Sequence, residues 1–216
     1  MKKIVLSLLV VAGFVSASYA QTDAKAKAIL ADVSKKYRSY DVVKTDFTFI
    51  LDNPQAKIKE TQQGTLIVKA KTNKYRVTMT NQELISDGKN QWTYLKEDKE
   101  VQVTNADNNG DALNPAKIFT VYEKGFKYAY TGESKVGGKV FQMIDLAPTD
   151  VTKSYFKIRL GIDKTAKQIG SVVIFDKSGN KYTYNVKKII PNVKVPESTF
   201  AFDTKKYPGV EVVDLR

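Results

Sequence analysis

Alternating apolar and polar residues dominate the chain between residues 64 and 94. Leu66 and Val68 recur at a spacing of two in one segment, and Trp92 and Tyr94 do so in a later one. A spacing of two places such residues on one face of a β-strand. Polar residues occupy many of the intervening positions, so this region predicts antiparallel strands with one apolar face.

The same pattern predicts strands over most of the chain. Turn signals such as Asp87-Gly88 and Lys177–Asn180 separate them. The predicted strands are Val43–Leu51, Lys57–Lys69, Lys74–Thr80, Glu83–Ser86, Gln91–Leu95, Glu100–Thr104, Phe126–Thr131, Lys139–Leu146, Tyr155–Ile162, Ile169–Phe175 and Lys181–Lys188. A strand-like ending follows from Tyr207 to Asp214. Because short turns join most neighbouring strands, we expect antiparallel pairing.

Two segments change to a helical pattern. Thr22 to Tyr40 carries one apolar stripe at steps of three and four. The stripe consists of Ala26, Ile29, Leu30, Val33 and Tyr37. Farther on, Asn114 and Pro115 suit a helix start and Gly125 suits a helix stop, which predicts a helix over Pro115–Lys124. We expect the first helix to pack on the open face of the sheet.

These elements predict the fold class. Ten or more antiparallel strands with two helical interruptions indicate a mainly β protein with helices, an α+β arrangement. The sheet should be strongly curved or form a barrel, with the helices against its concave apolar side. Such a sheet either encloses a cavity or has a filled core, and the alternation of residues fits both.

The N-terminus has the features of an export signal. Lys2 and Lys3 precede an apolar stretch, and Ser18 and Ala20 form a small-residue cleavage pattern. We expect a signal peptide over residues 1–20, cleaved after Ala20, and a single domain over residues 21–216. The apolar stretch is shorter than the roughly 20 residues that a membrane-spanning helix needs.

The amino-acid composition excludes several kinds of catalytic and metal-binding site. The 216-residue chain contains no His and no Cys, which excludes histidine-based triads, thiol nucleophiles, disulfides and nearly all zinc sites. Asp107, Asn109 and Asp111 lack the glycine and distal glutamate of a helix-loop-helix calcium site. We therefore expect no metal and no cofactor.

Isolated acids are the remaining catalytic candidates. A hydrolase would need a facing pair of carboxylates. The acids considered are Asp46, Asp87, Asp145 and Asp163. Asp87 and Asp163 fall at predicted turns, where Asp is common for backbone reasons alone. We expect that the protein is not an enzyme.

The net charge of +12 has two explanations. It could steer the protein toward anionic lipid head groups or acidic partners. Lysines also protect exposed strands and sheet edges from aggregation, and many lysines here alternate with apolar residues in that way. We expect no nucleic-acid partner, because the basic residues are spread over the strands of an exported chain.

Several segments occur in the order of a known pattern. They are Thr45-Asp-Phe-Thr48, Gly64-Thr-Leu-Ile-Val-Lys69, Tyr75-Arg-Val77, Ser86-Asp-Gly-Lys89, Trp92-Thr-Tyr94, Asn114-Pro115, Phe200-Ala-Phe202 and Pro208-Gly-Val210. Together they resemble the periplasmic outer-membrane lipoprotein carriers, the LolA-like family. The resemblance covers nearly all of the chain after the signal peptide. It implies an unclosed antiparallel β-barrel, a half-barrel, whose concave hydrophobic face is covered by helices.

The resemblance also implies a cavity that holds acyl chains. The candidate lining residues are Phe47, Phe49, Leu66, Val68, Tyr75, Val77, Trp92, Tyr94, Ile118, Phe119, Tyr122, Tyr128, Tyr130, Phe156 and Ile158. In the family, an arginine followed by proline helps to latch the lid over this cavity. Here Lys71 stands in the corresponding stretch and no proline follows, with Arg76 nearby on a strand. Lysine lacks the planar fork of arginine, so the latch must differ.

The function implied is that of a monomeric periplasmic carrier. It would accept the acyl chains of lipoproteins from an inner-membrane exporter and deliver them to an acceptor or the membrane surface at the outer membrane. The alternative is a periplasmic sensory or regulatory module that binds a lipid or a peptide on the same half-barrel. The two differ in partner, an exporter and lipoproteins in the first case and a signalling receptor in the second.

Overall fold

The computed structural model describes residues 23–106 and 115–216. A single long helix, α1, covers residues 23–38, within the predicted Thr22–Tyr40 segment. The predicted signal peptide, the Asp107–Asp111 loop and the predicted cap Asn114 lie outside the described residues. No helix in the described ranges has the length and hydropathy needed to cross a membrane.

Twelve strands form one sheet in the described residues. They are β1 Val42–Asn53, β2 Ile58–Lys69, β3 Lys74–Met79, β4 Gln82–Asp87, β5 Asn90–Leu95, β6 Glu100–Asn105, β7 Phe126–Val136, β8 Lys139–Pro148, β9 Tyr155–Asp163, β10 Gln168–Asp176, β11 Lys181–Pro191 and β12 Glu211–Asp214. Their spatial order is β12-β6-β5-β4-β3-β2-β1-β11-β10-β9-β8-β7. β7 and β12 are the two edges, so the sheet is not closed into a barrel. The predicted half-barrel is confirmed.

β1 lies at the centre of the sheet and joins its two arms. It pairs antiparallel with β2 on one side and with β11, from the far end of the chain, on the other. All strands except β12 pair antiparallel, as predicted. β12 instead pairs parallel with β6, with Val212 opposite Val101. The chain reaches this edge from across the sheet rather than through a hairpin, which permits the parallel direction.

We define the inner face of the sheet as the face on which α1 packs. The stripe residues Ala26, Leu30, Val33 and Tyr37 are each at most 4% exposed. They join one cluster with inward-facing residues from both arms of the sheet, including Val68. The prediction that the first helix packs on the open sheet is therefore confirmed, since the alternating faces of the strands and the stripe of the helix meet in a common core.

The predicted helix Pro115–Lys124 is wrong. The structure has two single-turn 3₁₀-helices there, Pro115–Lys117 and Val121–Glu123. Thr120 separates them with φ −135° and ψ 2°, which is not helical backbone. β-Branched residues surround this break and lower the helix propensity of the segment. Gly125 still adopts the left-handed conformation expected at the end, with φ +80°.

The outer face, on the other side of the sheet, has its own apolar cluster. Ile85 and Val101 are fully buried there although neither belongs to the inner-face cluster. Residues 196–207, which we name the C-terminal segment, cover them and include two further 3₁₀-helices, Glu197–Phe200 and Thr204–Lys206. Phe200 of this segment is 2% exposed. The N-terminal arm of the sheet therefore lies between the first of the mid-chain 3₁₀-helices, Pro115–Lys117, on its inner face and the C-terminal segment on its outer face.

Gly64 allows an aromatic ring to cross the central strands. Phe47 on β1 lies directly opposite Gly64 on β2. A Cβ atom at Gly64 would lie 2.7 Å from Cε2 of the Phe47 ring, inside the contact distance. A glycine is therefore required at position 64, because the ring of Phe47 approaches the backbone there and fills the space that a side chain would occupy.

We predict that Gly64→Ala lowers the free energy of unfolding by about 1–3 kcal/mol, as overpacking does in a filled core. Urea denaturation of the purified protein measures this change. Phe47→Leu on the Gly64→Ala background should recover part of the loss, because the smaller side chain no longer occupies the Cβ position. An equal loss in the presence and absence of Phe47→Leu would show that the ring is not the cause.

Candidate functional site

The inner face brings most of the predicted lining residues together. Those in the cluster beneath α1, either buried or packed against it, are Phe47, Phe49, Leu66, Val68, Tyr75, Val77, Ile118, Phe119, Tyr122, Tyr128, Tyr130 and Ile158. They come from both arms of the sheet and from the segment of residues 115–125 that precedes β7. In this structure α1 and that segment cover the face, so these residues form a packed interior.

Trp92 and Tyr94 lie on the outer face, so their prediction as lining residues is corrected. Trp92 stands opposite Ile85, which in turn stands opposite Arg76 on β3. Directly opposed residues share a face, and Arg76 alternates with the inward-facing Tyr75. The spacing of two predicted that Trp92 and Tyr94 share a face, but the turns between strands decide which face it is.

Phe156 is also corrected, because it points outward and is 52% exposed. In the pairing of β9 with β10, Lys157 lies opposite Phe175 and Tyr155 lies opposite Asp176. Phe156 is the extra residue of a β-bulge, which shifts the alternation by one position. Tyr155 and Ile158 therefore both point inward, and the ring of Phe156 lies 6.2 Å from that of Phe175.

The predicted lining residues leave out much of the inner face in the second arm. The additional buried residues there are Ile144, Leu146, Leu160, Ile162, Ile169 and Val172. The regular spacing of Ile158, Leu160 and Ile162 is a signal that could have identified the β9 members. On β10 a second register shift between Ile169 and Ser171 interrupts the alternation.

A few polar contacts hold α1 at its rim. On one side, Ser34 Oγ donates to the hydroxyl of Tyr122 at 3.1 Å, and Arg38 forms a 2.5 Å salt bridge with Glu123. Burial raises the pKa of Tyr122 to about 12, so its hydroxyl remains neutral and able to hydrogen-bond. The ring of Phe119 stacks on that of Tyr37 at 4.1 Å between centroids.

The opposite side of α1 contacts the turn between β9 and β10. Lys36 Nζ donates to the carbonyl oxygen of Ala166 at 2.6 Å. Lys167 forms a 2.6 Å salt bridge with Asp32, and this interaction lowers the pKa of the Asp32 carboxyl. Both ion-pair partners are more than half exposed, so the bridge adds little stability. Burial of the apolar stripe therefore dominates the attachment of α1.

Neither latch candidate forms a hydrogen bond or salt bridge with α1 in the part of the chain that the structure describes. Lys71 is exposed in the turn between β2 and β3, with φ +59°. Arg76 is on the outer face, where it donates to Glu83 at 2.5 Å, to the hydroxyl of Tyr207 at 2.9 Å and to the carbonyl oxygen of Thr199 at 3.5 Å. Arg76 therefore fastens the C-terminal segment to the sheet.

Other contacts of the C-terminal segment support this arrangement. The ring of Tyr207 stacks on Phe202 at 4.4 Å and contacts Tyr94 edge-on at 4.7 Å. Glu197 pairs with both Lys69 and Lys74, and hydrogen bonds from these lysines lower its pKa to about 2. Tyr94 thus serves as a packing surface for the segment.

A cleft opens beside α1, where the helix faces the second 3₁₀-helix and the start of β7. Its volume is about 700 Å³. The lining residues are Lys27, Leu30, Ala31, Ser34, Lys35, Arg38, Ser39, Tyr122, Glu123, Lys124 and Tyr128. Leu30 and Tyr122 belong to both the cleft and the inner-face cluster, so the cleft borders the covered apolar interior.

A family model described as outer membrane lipoprotein carrier protein LolA matches residues 38–203. The chain belongs to the LolA family. This confirms the resemblance seen in the sequence. The match runs from the end of α1 to the C-terminal segment and so covers the whole sheet except β12. No curated protein sequence matches the chain significantly.

Several solved structures are similar to this chain at low sequence identity. An uncharacterized conserved protein from Thermus thermophilus is 14% identical with a TM-score of 0.55, over 88% of this chain and 99% of that one. A LolA superfamily protein from Nitrosomonas europaea is 11% identical with a TM-score of 0.44, over 82% and 97%. A chain from the MucA/MucB complex of Pseudomonas aeruginosa is 11% identical with a TM-score of 0.44, over 84% and 62%.

We predict that Arg76→Gln loosens the C-terminal segment without affecting α1. The loss of charge-assisted hydrogen bonds should lower the free energy of unfolding by about 1.5–3 kcal/mol. Limited proteolysis should then cleave residues 196–207 faster, while cleavage within residues 23–38 remains unchanged. Tyr207→Phe should cost little once Arg76 is replaced. Faster cleavage within α1 would instead place Arg76 in the attachment of the helix.

Proposed function

We propose that this LolA-family chain is a periplasmic, non-enzymatic carrier of lipoproteins. It acts as a monomer, takes the acyl chains from an inner-membrane exporter and delivers them to an acceptor or to the outer membrane itself. The observation that carries the proposal is the extensive apolar inner face beneath α1 and the segment after residue 115. Acyl chains would bind there after α1 moves away from the sheet.

The free energies of burial favour the replacement of α1 by an acyl chain on the inner face. Exposing the buried side chains of Leu30, Val33 and Tyr37 costs about 5–9 kcal/mol at about 1.5–3 kcal/mol each. One acyl chain of about 15 methylenes gains about 12 kcal/mol on leaving water, at about 0.8 kcal/mol per methylene. An incoming chain can therefore replace the helix as the cover of the inner face.

The chemistry of the inner face suits binding that can be reversed. Its side chains are aliphatic and aromatic, which provide contact area without strong directional bonds. Burial raises the pKa of Tyr184 on β11 to about 12, so this ring is an uncharged part of the surface. The buried acid Asp163 is the last residue of β9. Its carboxylate accepts hydrogen bonds from the backbone amides of Thr165 and Ala166 in the turn that follows.

The acids considered for hydrolysis have structural partners. Asp46 accepts from the hydroxyl of Thr65, and Asp145 pairs with Arg159 through two hydrogen bonds of 2.6 and 2.8 Å. Asp87 accepts from the backbone amides of its own turn, as Asp163 does. These contacts explain the four acids as parts of the sheet and its turns, which supports a non-enzymatic role.

Tethering α1 tests the proposal. Asp32 and Lys167 touch across the boundary between the helix and the sheet, and the chain has no natural Cys. In Asp32→Cys/Lys167→Cys, a cross-linker with two thiol-reactive maleimides and a disulfide in its spacer should hold α1 down and reduce uptake of a fluorescent diacylated lipoprotein by about tenfold or more. Reductive cleavage of the tether should restore uptake and subsequent release to acceptor vesicles.

The uncross-linked double variant is the matched control, because it also lacks the Asp32–Lys167 salt bridge. Equal lipoprotein uptake with and without the tether would overturn the proposal that α1 moves away from the sheet. Failure of the natural chain to extract lipoprotein, even with the exporter present, would overturn the carrier proposal. Recovery of a signalling receptor from envelopes, without exporter or lipoprotein, would replace it with the regulatory alternative.

A further inference from the structure

We infer that the cleft beside α1 binds the anionic head group of a phospholipid, whose acyl chains reach the inner face. This inference rests on the proposed acyl-binding function and adds a second class of cargo to it. The basic cleft is defined by Lys27, Lys35, Arg38 and Lys124 at its rim. Ala31 and Tyr128 provide its accessible apolar surface, and the buried side chains of Leu30 and Tyr122 lie behind it.

The charge at the rim is unbalanced. Four cations line the cleft against the single carboxylate of Glu123. Glu123 is already engaged by Arg38 at 2.5 Å. Within the described residues, Lys27, Lys35 and Lys124 form no salt bridge, although Lys35 lies near enough to Asp32 to lower its pKa. Asp32 itself pairs with Lys167 outside the cleft, so a net positive potential remains at the mouth.

The geometry places this charge next to the proposed acyl site. Lys27 and Lys35 project from α1 on the cleft side, while Lys124 lies on the facing segment. The Nζ atom of Lys27 lies 5.9 Å above the ring of Tyr128, which belongs to both the cleft and the periphery of the inner-face cluster. A charged group at the rim would therefore lie directly beside the route into the interior.

These features favour a lipid over a free anion. The cleft volume of about 700 Å³ falls within the roughly 300–1,000 Å³ of ligand pockets and is far larger than inorganic phosphate needs. Apolar side chains such as the partly exposed Tyr128 do not contribute to binding a free phosphate. A phosphodiester with attached acyl chains uses both parts of the cleft, because the lysines attract its charge and the apolar surface receives its chains.

Binding of short-chain lipids tests this inference. Calorimetry of the purified protein should show tighter binding of dihexanoyl phosphatidylglycerol than of dihexanoyl phosphatidylcholine, which has the same chains. The triple variant Lys27→Gln/Lys35→Gln/Lys124→Gln should lose at least about tenfold in affinity for the anionic lipid, since each lysine near an anionic surface contributes about 1 kcal/mol. Its affinity for the zwitterionic lipid should remain within about twofold.

Two further variants distinguish binding at the cleft from a general effect of the protein's positive charge. Lys59→Gln/Lys89→Gln/Lys206→Gln removes three exposed lysines elsewhere and should leave both affinities unchanged. Glu123→Gln removes the acid that competes for Arg38 and should strengthen binding of the anionic lipid. A role of these residues in packing alone would not produce opposite effects from Lys→Gln and Glu→Gln.

The outcomes are distinguishable from failure of the carrier proposal. Equal affinity for the two lipids, or equal loss in the two triple variants, would overturn the head-group site even if lipoprotein uptake persists. Competition by millimolar inorganic phosphate as effective as that by the lipid would overturn the assignment to a lipid. Absence of binding to both lipids, together with absence of lipoprotein uptake, would instead overturn acyl binding itself.

Discussion

The packing of one apolar helical stripe on an open sheet is the interaction on which the rest of the structure depends. An unclosed sheet leaves its inward-facing side chains exposed to water unless another element covers them. α1 does so through Leu30, Val33 and Tyr37, and the segment after residue 115 adds Phe119 and Tyr122. The polar contacts around α1 lie at its rim, so the cover is attached mainly by surface that an acyl chain could also satisfy.

The outer face is stabilised in a different way. There the C-terminal segment is fixed by directional contacts, among them the hydrogen bonds of Arg76 and the double pairing of Glu197 with Lys69 and Lys74. Stacked rings add to this attachment. The C-terminal segment thus combines these contacts with the burial of Phe200, whereas the cover on the inner face is held largely by hydrophobic contact.

Sequence patterns predicted the strands and α1 because spacing of two or of three and four follows directly from backbone geometry. The unclosed half-barrel was implied by the resemblance to the LolA-like family, since the patterns alone fitted both a curved sheet and a barrel. The same patterns could not assign faces across turns. Trp92 and Tyr94 share a face as predicted, but the pairing of β4 with β5 turns that face outward. The prediction that Phe156 points inward is wrong for a local reason, since a bulge inserts one residue into the alternation. The predicted mid-chain helix is wrong because residues that suit a helix start and stop, Pro115 and Gly125, do not ensure that the residues between them are helical.

The central claim is that cargo replaces α1 on the inner face. Hydrogen–deuterium exchange of the full chain, with and without a bound diacylated lipopeptide, tests it most directly. Amides in residues 23–38 should exchange faster in the loaded protein, whereas amides of the central strand β1 should keep their protection. Unchanged protection of residues 23–38 in protein shown to be fully loaded would contradict it.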